Sequence, residues 1–207
     1  MAAAAAGPPA VEDRPPLAFR EEFTDGKGDT PVSVDSIKNK ELAFATYGPG
    51  KGLVDKTYHA APPNLGGFIW SGACLQVCGF TLYLPKDYID LRGMAKITWR
   101  TTQTGLHQLR LMIKAADGKM YVSDQSVGAT SDWQVSDLII RDLRWRELDV
   151  VNMNDISTAT GQWATPPDLS RIAEIGWTDL APGSGHGRIA GSSRVDWIEV
   201  YGRRVPR

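Results

Sequence analysis

The stretch KITWRTTQTGLHQLRLMIKAADGKMYVSDQ, Lys96 to Gln125, alternates apolar and polar residues and is broken twice by turn chemistry. A period of two places Ile97, Trp99 and Thr101 on one face and Thr98, Arg100 and Thr102 on the other, the pattern of a half-buried strand. Leu109, Leu111 and Ile113 repeat it against Gln108, Arg110 and Lys114. A three-residue loop at Gln103-Thr104-Gly105, with Gly105 in the left-handed position, predicts a hairpin pairing Trp99 with Leu109 and Ile97 with Leu111. Arg100 then faces Gln108, and Thr98 faces Arg110. A two-residue loop would set Arg100 against Leu109 and mix the faces, which pleat geometry penalises. Asp117-Gly118 is a type I′ signal that pairs Ile113 with Val122, Lys114 with Tyr121 and Arg110 with Gln125. Three adjacent strands result, with Arg100, Gln108, Arg110, Tyr121 and Gln125 on one polar face.

Outward from this meander, strand-like runs recur at residues 41–46, 67–70, 75–84, 133–140, 172–178 and 194–201. No sustained helical period appears, and helix is expected only as a turn near 168–173. Seven tryptophans, 21 glycines and 13 prolines among 207 residues fit β structure with many turns. The expected fold class is all-β, a two-sheet antiparallel β-sandwich formed by residues 17–207. Residues 1–16, rich in Ala and Pro, form an N-terminal tail that cannot build a core. This tail lacks the charged start and long apolar stretch of a secretory signal, so the protein is either intracellular or begins after a removed leader.

The formal net charge is −1, which leaves no broad basic footprint for nucleic acid or an anionic membrane. No apolar run approaches the roughly 20 residues of a membrane helix. Cys74 and Cys78 on one strand would stand roughly 13 Å apart at about 3.3 Å per residue. A disulfide needs α-carbons within about 7 Å, so the expectation is two semi-buried thiols unless the chain turns between them.

Arg100 and Arg110 supply planar donors for carboxylates or vicinal hydroxyls, with Gln108, Gln125 and Tyr121 as adaptable partners. Trp177, close to Asp179 and the Gly-rich loop 182–187, is the indole expected at a rim, where it could stack on a sugar ring. His107, His59 and His186 are scattered and make no zinc pattern. Gly48-Pro49-Gly50-Lys51-Gly52 lacks the spacing and the Ser/Thr of a phosphate-binding loop. There is no Gly-x-Ser-x-Gly, no paired-cysteine motif and no dinucleotide fingerprint. Asp124, Asp132, Asp137, Asp179 and Glu199 are available as glycosidase-type carboxylates, but no spacing singles out a pair.

The order Asp90-Leu91-Arg92-Gly93, Lys96-Ile97-Thr98-Trp99-Arg100, Leu109-Arg110-Leu111-Met112-Ile113 and Trp133-Gln134 continues with 167–172 and Ile175-Gly176-Trp177. It closes with Ser193-Arg194-Val195-Asp196-Trp197-Ile198-Glu199-Val200-Tyr201. Over residues 65–202 this resembles the galactose-binding-like jelly rolls, in particular the complex I intermediate-associated protein family and related carbohydrate-binding modules. The resemblance implies a sandwich with a concave carbohydrate-binding face. It also implies a structural calcium, for which Glu22 or Asp25 with Asp196 are the candidates; the N-terminal part departs from the pattern. Some relatives are assembly factors, which keeps a protein partner in play.

Three readings follow. The first is a secreted or periplasmic carbohydrate-binding jelly roll using Arg100, Gln108, Arg110, Gln125, Trp177 and Asp179. The second is a glycan lyase or glycoside hydrolase on that scaffold, with His107 or His186 as base and Tyr121 as acid. The third is an assembly or interaction protein using the same face.

Overall fold

The computed structural model describes residues 14–25, 31–58, 66–151, 153, 167–181 and 191–207. The alternating runs form β1 (Leu17–Glu21), β2 (Ala43–Tyr47), β3 (Asp55–Tyr58), β4 (Gly67–Trp70), β5 (Gly79–Tyr83), β6 (Asp87–Asp90) and β7 (Lys96–Gln103). They continue as β8 (Leu109–Ala115), β9 (Met120–Val127), β10 (Gln134–Ile139), β11 (Trp145–Glu147), β12 (Ile172–Thr178), β13 (Ser193–Tyr201) and β14 (Arg203–Pro206). Helix among the described residues is limited to three short 3-10 turns, at Val34–Ser36, Lys51–Leu53 and Ile140–Asp142. Every strand pair among the described residues is antiparallel. Sheet A runs β10-β7-β13-β4-β3, with β1 also on β13; sheet B runs β11-β9-β8-β12-β5-β2, with β6 on β12 and β14 on β6.

The two sheets close on one core. Ile97, Trp99, Val195, Ile198 and Val200 enter it from sheet A, and Phe80, Leu82, Leu109, Leu111, Ile113, Ile175 and Trp177 from sheet B. This is the expected two-sheet antiparallel sandwich, and the chain crosses between its sheets repeatedly, in the jelly-roll manner. A smaller apolar cluster lies outside sheet B, where Met112, Met120 and Val122 pack with Leu148, Met153 and Leu180.

The hairpin expected at Gln103-Thr104-Gly105 is instead a corner between the sheets. Gly105 is left-handed, with φ of 66°, but β7 pairs with β10 and β13 while β8 pairs with β9 and β12. Side-by-side strands and strands opposed across a core show the same alternation, so period alone does not separate the two arrangements. Arg100 and Arg110 therefore belong to different sheets.

The second hairpin exists, one residue out of the expected register. Gly118, at φ 89°, donates to the Ala115 carbonyl at 3.0 Å and the Ala115 amide bonds the Lys119 carbonyl at 2.9 Å. The loop thus holds three residues, and Ile113 faces Tyr121 rather than Val122. A slip of one residue reverses faces, so Tyr121 turns inward and joins the core. A bulge between Arg110 and Met112 then sets Arg110 opposite Ser126.

Cys74 and Cys78 form a disulfide, contrary to the expectation of two thiols. The segment read as the start of a strand at 75–84 bends at 75–76 and becomes strand only at Gly79, just after a turn in which the Cys74 amide donates to the Ser71 carbonyl at 3.0 Å. The bend leaves the α-carbons 6.3 Å apart, and both cysteines are buried. Replacing both by alanine is expected to cost about 2 kcal/mol for so short a loop, read as a lower urea midpoint. An unchanged midpoint would contradict the staple role.

At the N-terminus the packed chain reaches back beyond Leu17, since the Pro16 carbonyl accepts from the Gly202 amide at 3.0 Å. Residues 1–13 lie outside the described residues. No helix among the described residues is long and apolar enough to cross a membrane.

Candidate functional site

The outer face of sheet A is set by parity. With Ile198 and Val200 inward, β13 turns Trp197, Glu199 and Tyr201 outward, and β7 turns Lys96, Thr98 and Arg100 outward beside them. The registers arrange these side chains in rows across the sheet. Val135, Arg100 and Trp197 form one row; Asp137, Thr98, Glu199 and Arg20 the next; Ile139, Lys96 and Tyr201 the third. A bulge between Val195 and Trp197 inserts Asp196, a device that re-aims side chains beside sites. Asp196 is buried and ion-paired to the Arg100 guanidinium.

Clefts open on this face, two of them lined by its outward aromatics Trp197 and Tyr201. The smaller, about 270 Å³, is lined by Glu22, Asp25, Lys38, Gly66, Arg100, Asp196 and Trp197. The larger, about 540 Å³, lies toward the other end, where Lys96, Asp137, Ile139 and Tyr201 meet Arg14, Pro15 and Met94. Trp197 and Tyr201 stand four residues apart on β13, roughly 13 Å at strand rise.

Each aromatic here carries a cation. Arg20 sits 4.6 Å from the Trp197 ring, Lys96 5.0 Å from Tyr201 and Arg100 5.2 Å from Trp133. Such contacts orient rings and cations together. The cations are also ion-paired: Arg20 to Glu22 at 2.8 Å and to Glu199, Lys38 to Glu22 at 3.0 Å, and Lys96 to Asp137 at 3.1 Å. The Lys38 hydrogen bond, then that of Arg20, holds the Glu22 carboxyl below its ordinary range. The Thr98 hydroxyl, then Lys96, does the same for Asp137. The bond to Glu199, then burial, raises the Tyr201 phenol.

Behind this face lies a clamp that sequence reading missed. Glu21 is 1% exposed; its Oε1 accepts from the amides of Phe23 at 2.7 Å and Lys38 at 2.8 Å, and its Oε2 from Asn39 at 2.9 Å. This fixes the 37–39 segment that carries Lys38 into the smaller cleft.

The expected ligand residues are not brought together. Arg100 reaches the sheet A clefts. Arg110 lies on sheet B and donates to the carbonyls of Ser123 and Asp124 across the bulge. Gln108 accepts from Ser126 at 3.1 Å and Gln125 donates to Asp142 at 3.4 Å, both at the surface. Trp177 is core, with its ring 4.9 Å from Phe80; its shared parity with Ile175 carried that signal, and the nearby glycines did not. Asp179 is internal and bonds His107 Nδ1 at 2.8 Å and the Ser71 hydroxyl at 2.9 Å.

The catalytic candidates also separate. His107 is 1% exposed and Tyr121 packs into the core, while His186 and His59 lie outside the described residues. Outside sheet B, Glu174 accepts from Tyr47 at 2.8 Å, Thr81 at 2.6 Å and Lys114 at 2.9 Å. Burial, then Glu174, pushes the Tyr47 phenol up to about 12, so it stays protonated at neutral pH. That network is closed on itself.

Glu22, Asp25 and Asp196 do line one cleft, as a calcium site would require. Among the described residues, Arg20 and Lys38 are paired with Glu22, and Arg100 with Asp196. The ion needs six to eight oxygen ligands, and no group of three or more metal-binding side chains occurs among the described residues.

No protein-family model and no curated protein matches the chain. The resemblance to complex I intermediate-associated proteins therefore stays with its sequence motifs. Among solved structures, the chain is similar to the family 11 carbohydrate-binding module of the Clostridium thermocellum cellulase Lic26A-Cel5E, at 15% identity and TM-score 0.46, covering 88% of this chain and 95% of that one. The same kind of module in complex with a β-1,3-1,4-mixed-linked tetrasaccharide gives 17% identity and TM-score 0.46, covering 89% and 97%. An exo-β-agarase gives 12% identity and TM-score 0.41, covering 90% of this chain and 25% of its own. Likeness at this level assigns neither a family nor a ligand.

Proposed function

We propose that the protein binds carbohydrate along the outer face of sheet A. The observation that carries this reading is the pairing of two open clefts with Trp197 and Tyr201 on a single strand, each beside carboxylates and cations. Rings offer apolar surface to the carbon face of a sugar, while carboxylates and guanidinium N–H groups match its hydroxyls. His107 and Tyr121 face the interior rather than the clefts, so these two are not part of the proposed site. The disulfide supports a secreted or periplasmic location, where such bonds persist. A near-neutral charge argues against nucleic acid as the partner.

Affinity electrophoresis through gels carrying soluble polysaccharides tests the proposal. Trp197→Ala is expected to weaken binding at least tenfold, with the circular dichroism spectrum retained because its side chain points outward. Arg100→Ala is expected to weaken binding as much and also to lower the urea midpoint, because it breaks the ion pair of the buried Asp196. Equal retardation of the wild type and both variants would move the site elsewhere. Retardation only in the presence of a co-purifying protein would favour an interaction role.

A further inference from the structure

Resting on the reading of this face as a glycan site, we infer that its ligand is an uncharged polysaccharide and that carboxylated and sulfated chains are rejected. Both cations among the described residues of the smaller cleft already have a carboxylate. Arg100 holds Asp196, whose side chain is 5% exposed, and Lys38 holds Glu22. Asp25 lines the same cleft, so among its described lining residues carboxylates outnumber cations. Along the face toward the larger cleft, Arg20 lies between Glu22 and Glu199, and Lys96 is held by Asp137.

At the smaller cleft an anionic sugar has two ways in, and both are unfavourable. It could displace Asp196 from Arg100, which breaks the ion pair of a buried carboxylate. It could instead bind beside the intact pairs, where it meets the excess negative charge at close range, with little screening inside a cleft. Arg14, at the edge of the larger cleft, offers an attraction confined to that end. Hydroxyls meet neither obstacle. An ionised carboxylate has about four acceptor sites and a guanidinium five donors, so a salt-bridged pair keeps free positions for both ends of an O–H group.

Matched polymers test this: hydroxyethylcellulose against carboxymethylcellulose, galactan against polygalacturonate, and agarose against carrageenan, each by affinity electrophoresis at low and high salt. The expected result is retardation by at least one neutral polymer, with its charged counterpart bound at least tenfold more weakly. Asp196→Asn, which releases Arg100, is expected to narrow that ratio at least threefold. Glu22→Gln releases Lys38 at a more exposed position and serves if the buried substitution impairs folding. A charged polymer bound as tightly as its neutral counterpart, with affinity lost in salt, overturns the inference and leaves glycan binding standing. An unchanged ratio in the folded variants also counts against it. Failure of every polymer, neutral and charged, removes the glycan reading itself.

Discussion

Gly176→Ala is expected to yield protein that does not reach the native state, or that loses at least about 4 kcal/mol of stability, the range of exceptional single substitutions. Gly176 lies in β12, between Thr81 of β5 and Met112 of β8. A β-carbon there would stand 1.9 Å from the Phe80 carbonyl oxygen and 2.5 Å from the Thr81 α-carbon. These are backbone atoms of a hydrogen-bonded neighbour, so relief requires β5 and β12 to part. That separation would pull Trp177 from Phe80 and loosen the whole interior, which packs too densely to absorb it. Gly79→Ala is the control. Its β-carbon would meet the mobile end of Met112 at 2.9 Å, and a loss of about 1–2 kcal/mol is expected, in the usual range for overpacking. Urea denaturation separates the two, and a Gly176→Ala midpoint near wild type would contradict the close approach.

Glu21→Ala should be nearly as damaging, at about 3–5 kcal/mol, because three amide donors lose a buried carboxylate and each unsatisfied donor costs about 1–3 kcal/mol. The substitution also strikes a strained point. Phe23 holds φ of 54°, a conformation costing about 1–3 kcal/mol for a non-glycine residue. It is held there by its amide bond to Glu21 and by its fully buried ring, edge-on to Phe80 at 6.0 Å and Trp177 at 6.2 Å. Glu21→Gln retains acceptor capacity on one atom only, so an intermediate loss is expected. Below the melting transition, Glu21→Ala should also weaken glycan retention, since Lys38 and Glu22 lose their support. Retention that falls while stability does not change would contradict the clamp.

The fold was legible where burial forces a pattern. Ile97, Trp99, Leu109, Leu111 and Ile113 point inward as their alternation requires, and the boundaries of β4 and β12 follow directly from it. Alternation does not say whether two consecutive strands lie beside or across from one another, and there the polar face was misassembled. Cys74-Leu75-Gln76-Val77-Cys78 contains no glycine or proline, so within it nothing marked the bend; Gly72 in the preceding turn and Gly79 after it were the local signals. The candidate site was legible only through Arg100 and the cleft carboxylates Glu22, Asp25 and Asp196. Parity of Ile198 and Val200 would have exposed Trp197 and Tyr201, but Lys38 arrives from a loop placed by Glu21, a long-range contact with no local signature.

The first and last strands meet in a way that bears on mechanical load. Pro16 is bonded to Gly202, and Arg204 donates twice to the Ala18 carbonyl, at 2.9 Å and 2.6 Å. Because β1 runs antiparallel to β13 and β14 to β6, tension applied through the two ends falls on these bonds and on the β14–β6 ladder in succession rather than all at once. The sandwich would open like a zip from that corner, and β1 would carry Arg20 away from Trp197 before the interior gave way.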